Sequence, residues 1–304
     1  MTWDVLVVGA GAAGMAAALS AREAGANAVL LVDRSTRLGG VLPQCLHTGF
    51  GMGIFRRELT GADYAARWSD MVRAAPIALR LDTTVLSISP DRRALLSGWS
   101  GVEEISFKAL VLAAGCREIP IGTLALPGTR PAGIFTAGQA QRMVNLQGLS
   151  LGRRIVILGS GDVGLIMARQ FALAGCTVEA VVEHRDCCGG LSRNYHQCIE
   201  AYGIPLLTRS TVSCIHGEGR ICGVTIRQLD SGTEHFQPCD TLVTALGMVP
   251  EQELLRPLGE QLPPWVFLCG NCRSIHRTVD TVSRQGTAAG REAAAWALQD
   301  GEAG

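Results

Sequence analysis

Residues 4–33 read DVLVVGAGAAGMAAALSAREAGANAVLLVD. Four apolar residues, Val5-Leu6-Val7-Val8, run into Gly9-Ala10-Gly11-Ala12-Ala13-Gly14. An alanine-rich stretch follows, and a second apolar run over residues 28–32 stops at Asp33. The pattern predicts strand, glycine turn, helix, strand and terminal acid. Each part has a task in holding a dinucleotide: Gly9 lets the chain turn off the strand, Gly11 lets a pyrophosphate approach bare backbone, and Gly14 lets the helix lie close on the sheet. Amides freed at the helix start, with the partial positive charge there, hold phosphates. Asp33, nineteen residues past Gly14, stands where a carboxylate accepts hydrogen bonds from a ribose.

Shifting the sequence by 150 residues brings Gly9, Gly11, Gly14 and Asp33 onto Gly159, Gly161, Gly164 and Glu183, and Gly39-Gly40 onto Gly189-Gly190. The second copy, RIVILGSGDVGLIMARQFALAGCTVEAVVE from Arg154, repeats the whole order. The chain therefore predicts an α/β fold with two Rossmann-like dinucleotide-binding domains. Past the second copy the sequence returns to an apolar strand over residues 265–269, stops at Gly270-Asn271, and ends in a helical stretch over 280–298. The first sheet needs that strand and helix, so the second domain, 123–247, is expected to be inserted into a first domain made of 1–122 and 248–304.

Between these landmarks, residues 55–74 carry apolar groups at helical spacing, and 77–89, 93–99 and 104–112 read as strands, the last ending in Ala113-Ala114-Gly115. Pro120, Pro127-Gly128 and Pro131 mark the crossing between domains. Further strands are expected over 212–215, 223–229 and 235–244.

With 304 residues, 47% of them hydrophobic, the chain is long enough for two cores. Lysine plus arginine equals aspartate plus glutamate at 27 each, which argues against a nucleic-acid or anionic-membrane partner. Eleven irregularly spaced cysteines do not make a secreted disulfide framework and fit a reducing, cytoplasmic setting. No run has the length and apolarity of a signal peptide core or a transmembrane span. The adjacent Cys187-Cys188, with His184 and Cys198 near in sequence, lack the paired spacing of a zinc site, so no metal is expected.

Four stretches carry a resemblance: GGVLPQCLHTGFGMG from Gly39, RPAGIFTAGQAQR from Arg130, ILGSGDVGLIMAR from Ile157 and CGNCRSIHRTVDTVSRQG from Cys269. Over residues 1–300 the chain resembles the two-dinucleotide-binding-domain flavoproteins of the pyridine nucleotide-disulfide oxidoreductase superfamily. Within it, the chain looks most like a compact branch of FAD-dependent oxidoreductases that includes proteins encoded beside glycerol-3-phosphate dehydrogenase. That branch is related to flavoprotein subunits of opine oxidase, proline dehydrogenase and hydrogen cyanide synthase. The resemblance implies FAD in the first domain, held by Gly9, Gly11, Ala12, Ala13, Gly14, Asp33, Arg34 and Gly40, with Val85 near the adenine. Ala114-Gly115 and Gly270-Asn271 would pass close to FAD, and amides near Thr281 and Val282, at the start of the last helix, would face the flavin's pyrimidine edge along with His276. It implies NAD(H) in the inserted domain on Gly159, Gly161, Asp162, Val163, Gly164, Glu183 and Gly247.

The sequence departs from that pattern. Relatives usually carry an acid where Asn271 stands, and the close cysteine pair of the disulfide reductases is absent, leaving a single Cys45 after Gly39-Gly40. Dimerisation through the roughly hundred-residue domain of the larger reductases is accordingly not expected. Cys45 and His47 lie where the resemblance puts the chain under the isoalloxazine, as candidates for a redox partner and a proton carrier; a buried filler and a structural imidazole are the alternatives. Cys269 and Cys272 have redox spacing but flank the expected FAD contact. Glu183 would bond the NAD ribose and repel the extra phosphate of NADP, although Arg185 two residues on softens that preference. The expected function is an FAD-dependent oxidoreductase passing hydride between NAD(H) and flavin, then to a quinone, oxygen or a partner dehydrogenase, without a dithiol relay. The alternative is the flavoprotein subunit of a multi-subunit amine, amino-acid or hydroxy-acid dehydrogenase or oxidase. A non-enzymatic flavin-binding regulator ranks below both.

Overall fold

The computed structural model describes residues 2–302. The chain divides into two compact units, Met1–Arg117 with Val249–Gly304, and Glu118–Met248.

In the first unit the opening apolar run is strand Thr2–Val8, the alanine-rich stretch is helix Ala12–Glu23, and the second run is strand Val29–Val32. The two strands pair in parallel, Val5 opposite Val29 through Val8 opposite Val32. Successive side chains on a strand point to opposite faces; accordingly Val5 and Val7 join the core under the helix, while Leu6 and Val8 join the core on the other side. Strand Gly101–Leu112 is the pivot of a seven-stranded sheet. Its first half pairs antiparallel with Arg93–Gly98, and its last residues run parallel both to Thr2–Val8 and to Val266–Leu268. The late segment thus supplies a strand to the first sheet.

Helix Val279–Glu302 then lies against Ala12–Glu23. A Cβ on Gly286 or Gly290 would stand 2.1 Å from the carbonyl oxygen of Ala13 or Ala17, so the two backbones touch. Ser20 Oγ donates to the Thr287 carbonyl at 2.8 Å. With sheet on one side and this helix on another, every residue from Ala12 to Ala21 is buried. That crowding is why the segment is written in alanine.

Three expected elements are shorter than the sequence pattern suggests. The helix expected from residue 55 begins at Gly61, where Thr60 Oγ1 accepts from the Asp63 amide at 3.1 Å. The run 77–89 breaks into Ala78–Arg80 and Thr84–Ile88, because Asp82, at φ +50°, and Thr83 turn aside to donate to the carbonyls of Ser35 and Asp33. The run 235–244 breaks into Glu234–Pro238 and Thr241–Thr244 at Asp240, whose carboxylate accepts from the amides of Arg153 and Arg154.

The second unit carries a five-stranded parallel sheet in the order Ile134–Thr136, Thr241–Thr244, Arg154–Leu158, Thr177–Val182, Leu206–Leu207. A three-stranded antiparallel sheet, Ser210–Gly217, Ile221–Gln228 and Glu234–Pro238, packs on one face through Val212, Ile215, Val224 and Ile226. Helices Ala137–Gln147 and Asp162–Leu173 cover the other face. Among the described residues no helix is long and apolar enough to cross a membrane.

Candidate functional site

The two glycine turns are built alike. Gly9 has φ +103°, and a Cβ there would meet the Ala113 carbonyl oxygen at 2.4 Å; a Cβ on Gly14 would meet the Gly9 carbonyl oxygen at 1.7 Å. Gly159, at φ +105°, and Gly164 repeat this at 2.3 Å from the Ala245 oxygen and 2.5 Å from the Gly159 oxygen. These four glycines are required by the protein's own packing. Gly11 and Gly161 are different: a Cβ on either would meet nothing within 4 Å. Each borders open space at the N-terminus of a helix, where unpaired amides favour an anion.

The double glycines belong to the same constructions. Gly40 lies against Gly11, its added Cβ 3.0 Å from the Gly11 Cα, and the Gly39 amide donates to the Ala10 carbonyl. The Gly189 amide donates to Ser160 Oγ at 2.8 Å.

The two acids share a backbone cradle. Asp33 Oδ2 accepts from the Ala10 amide at 2.6 Å and Oδ1 from the Ser35 amide at 2.7 Å. Glu183 Oε2 and Oε1 accept from the amides of Ser160 and Arg185, each at 3.0 Å. The side chains around them differ. Asp33 carries one backbone donor per oxygen and lines an open cavity of about 380 Å³. Glu183 is 1% exposed. Its Oε2 also accepts from the Ser160 hydroxyl, and its Oε1 from Arg185 Nε at 3.1 Å. A carboxylate has about four lone-pair sites, and these donors fill them. Burial pushes the Glu183 carboxyl up, but the hydrogen bonds of Ser160 and Arg185 outweigh it and hold the group down at about 2.

Beside the second turn Asp162 is likewise committed inward, accepting from the Leu191 amide at 2.7 Å and Asn194 Nδ2 at 2.8 Å. Val163 follows it in the first turn of the helix, and Gly247, at φ +116°, gives its carbonyl to the Ile119 amide.

The cavity of the first unit brings together Gly9, Asp33, Arg34, Val85 and Ala114, which the sequence singles out, with Thr83, Thr84, Glu251, Glu253, Leu254 and Pro257, which it does not. The second group arrives on the return segment and on the strand displaced by Asp82. Glu251 and Glu253 stand just after Pro250, but nothing local says that this loop closes over the first unit.

Gly115, at φ +77°, has open space where a Cβ would go, and its carbonyl accepts from the Glu251 amide. Gly270, at φ +68°, packs on Ala13 and Val282 and donates to Gln285 Oε1 at 3.0 Å. Asn271 Oδ1 accepts from the His276 amide at 3.0 Å and its Nδ2 donates to Cys116 Sγ. In this chain the amide ties down the loop before the last helix. His276 Nε2 meets Gln285 Oε1 at 3.0 Å, and Thr281 Oγ1 bonds Thr278 Oγ1.

Cys45 packs against Gly61, and burial pushes its thiol up to about 12, so it is no thiolate at neutral pH. His47 Nδ1 faces the Thr48 carbonyl at 3.2 Å, which places the proton on Nδ1, and its ring lies 5.1 Å from that of Phe50. All eleven cysteines are free; Cys269 and Cys272 are buried, their thiols raised first by burial. In the native protein at pH 8 a thiol reagent is expected to label Cys187 and Cys222, which are exposed, before the half-buried Cys45 and well before the buried Cys239, Cys269 or Cys272. Peptide mapping after a short pulse reads the order; labelling of Cys45 ahead of Cys187 and Cys222 would contradict its raised thiol.

Residues 3–265 match the sequence profile of the pyridine nucleotide-disulphide oxidoreductases. The chain belongs to that family. It is an oxidoreductase. Curated relatives include the HcnB component of hydrogen cyanide synthase from Pseudomonas aeruginosa, 27% identical over 84% of this chain and 59% of the relative. An opine oxidase subunit from Agrobacterium tumefaciens is 24% identical over 86% of this chain and 55% of the relative. The alpha subunit of sarcosine oxidase from Corynebacterium sp. strain U-96 is 31% identical over 75% of this chain and 24% of the relative. The chain spans well under two thirds of these relatives' own length. In fold it is similar to thioredoxin reductase of T. acidophilum, with a TM-score of 0.80 at 20% identity over 99% of both chains. The similarity to L-proline dehydrogenase of P. horikoshii is lower, at 0.66 and 17% identity over 99% of this chain and 56% of that one.

Proposed function

We propose that this chain is the FAD-carrying subunit of a multi-subunit dehydrogenase or oxidase whose substrate is an amine, amino acid or hydroxy acid. The observation that carries the proposal is the inequality of the two acids. Asp33 keeps acceptor capacity facing an open cavity, whereas Glu183 is closed off and saturated by its own neighbours. One turn is therefore ready to take a dinucleotide, and the other has turned its ribose-binding group inward. The relatives named above as subunits of opine oxidase, hydrogen cyanide synthase and sarcosine oxidase support the same reading.

The residues of the first unit fit FAD. Gly11 leaves the pyrophosphate its approach, Asp33 offers lone pairs to a ribose, and Val85, Leu254 and Pro257 give the cavity apolar walls for a base. Bound there, FAD would supply the two-electron acceptor that no side chain can. The chain itself binds and orients, and the positive end of helix Val279–Glu302 favours negative charge near its first turn.

A second reading keeps NADH as the reductant, and the open edge at Gly161 favours it. The unit Glu118–Met248 would then hold NAD(H) in preference to NADP(H), with electrons passing on to a quinone, oxygen or a partner dehydrogenase. Anaerobic mixing of the flavin-loaded protein, alone and in complex with its partner dehydrogenase, separates the readings. Bleaching by an amine, amino-acid or hydroxy-acid substrate in the two-component sample, with NADH slower by about a hundredfold or more, is the expected result. Rapid bleaching of the isolated chain by NADH would replace the first reading with the second.

A further inference from the structure

In the small antiparallel sheet of the second unit, Gly223 pairs with Pro238 and Val224 with Gln237, and the same register sets Cys222 opposite Cys239. The Cys239 amide donates to the Cys222 carbonyl at 3.3 Å, which carries the ladder one step past the end of strand Glu234–Pro238. Residues opposed at a hydrogen-bonded position have Cα atoms about 5.5 Å apart and side chains on one face of the sheet. A disulfide needs a Cα separation of roughly 4.4–6.8 Å. The adjacent Cys187-Cys188 falls short of that range, since neighbours along a chain are only about 3.8 Å apart. Cys269 and Cys272 are both buried, so neither gives a reagent in solution a way in.

The two thiols of the opposed pair are unlike. Cys222 is exposed, and it stands at a register shift: His216 pairs with Gly223 and Gly217 with Ile221, so Cys222 is the extra residue of a bulge. A bulged position bends more readily than a regular one. Cys239 is 3% exposed and packs in the core with Val212, Ile215 and Val224. Burial first, then the nearby Asp240 carboxylate, pushes its thiol up to about 12, and Cys222 adds to the rise. One thiol therefore meets solution, and the other meets only its neighbours. Past Cys239, the Asp240 carboxylate holds the amides of Arg153 and Arg154, and the chain enters strand Thr241–Thr244 of the parallel sheet. A bond between the two cysteines would fasten the outer sheet to the start of that strand.

We propose that Cys222 and Cys239 are a disulfide-forming pair, Cys222 taking up a low-molecular-weight disulfide from solution and Cys239 resolving it into a cross-link. With oxidised glutathione, Cys222 loses its proton and attacks one sulfur, forming a mixed disulfide and releasing one glutathione. Cys239 then loses its proton and attacks the Cys222 sulfur, forming the Cys222–Cys239 bond and expelling the second glutathione. Two electrons pass from the cysteines to the glutathione disulfide, and the two protons end on the two glutathione thiols. The second step is the slower, because the raised thiol of Cys239 is seldom ionised. The mixed disulfide at Cys222 therefore precedes the cross-link.

The test uses the folded chain carrying Cys187→Ser, in which Cys222 is the exposed cysteine that is left. The protein is incubated with oxidised glutathione, quenched with acid and an alkylating reagent, and mapped by peptide mass without reduction. The expected course is glutathione on Cys222 first, then its replacement, in most chains, by a linked peptide joining Cys222 to Cys239 within one chain. Excess dithiothreitol returns both thiols. Adding Cys239→Ala is expected to leave glutathione on Cys222 with no linked peptide, and adding Cys222→Ser to leave Cys239 unmodified over the same period. Thermal melts check that each variant is folded, and the time course of the Cys187→Ser protein decides the matter even where a further variant is not. Glutathione that persists on Cys222 while the linked peptide stays a minor species would overturn the pairing, as would a link from Cys222 to any other cysteine. Uptake of glutathione by Cys239 in the folded Cys222→Ser variant would overturn the order of the two roles.

Discussion

Alanine at position 11 is expected to leave the apo-protein almost as stable as the wild type while cutting its affinity for FAD about tenfold or more; alanine at position 14 is expected to cost about 3 kcal/mol of stability. Gly11 has φ −76° and ψ −170°, which any residue adopts, and its added Cβ meets nothing within 4 Å. Losing glycine at that helix cap costs under about 1 kcal/mol. The methyl would instead occupy the approach of a pyrophosphate. At Gly14 the same methyl lands 1.7 Å from the Gly9 carbonyl oxygen and 2.9 Å from its carbon, both backbone atoms, so helix and strand must separate. Alanine's better helix propensity recovers only about 1 kcal/mol. Denaturant unfolding of the apo-proteins and FAD titration give the two readouts. Normal FAD binding by Gly11→Ala would sink the reading of that open edge.

Glu183→Gln is the second large effect: about 3 kcal/mol of stability lost at pH 7, with the loss shrinking in acid. The side chain is 1% exposed, and its pKa is depressed from 4.5 to about 2. A depressed carboxylate contributes stability that is fully present above its unfolded value and disappears as pH falls through the folded one. Between pH 4.5 and about 2 the unfolded chain binds the extra proton, so stability must rise with pH across that window. A shift of that size corresponds to roughly 3 kcal/mol. The glutamine variant still meets the amides of Ser160 and Arg185 but turns its NH₂ toward one set of donors. Urea unfolding at pH 3, 5 and 7 checks this; a pH profile unchanged by the substitution would show that Glu183 is not the titrating group.

The internal repeat makes the two acids look equivalent in sequence, and to the level of the backbone they are. Ala10 and Ser160 donate to them alike, and so do Ser35 and Arg185, each pair separated by 150 positions. The divergence lies in side chains that a glycine pattern ignores: Ser160 in place of Ala10 and Arg185 in place of Ser35 supply the donors that close Glu183. Cys45 shows the same limit. Its place after Gly39-Gly40 suggests redox chemistry, yet the approach of Gly61 to its Cβ, which helps cover the thiol, comes from a helix whose start the periodicity misplaced by several residues.

By itself the sequence determined the α/β class, the two glycine turns with their acids, and the return of the last strand and helix to the first sheet. Each of these follows from short-range periodicity and from the few positions where only glycine fits. Only the tertiary structure decided which acid stays open, that the thiol of Cys45 is half-buried and raised, and that Glu251 and Glu253 join Asp33 around one cavity. Those outcomes depend on side chains brought together from distant stretches, where burial and the count of hydrogen-bond donors, not spacing along the chain, set what each group can do.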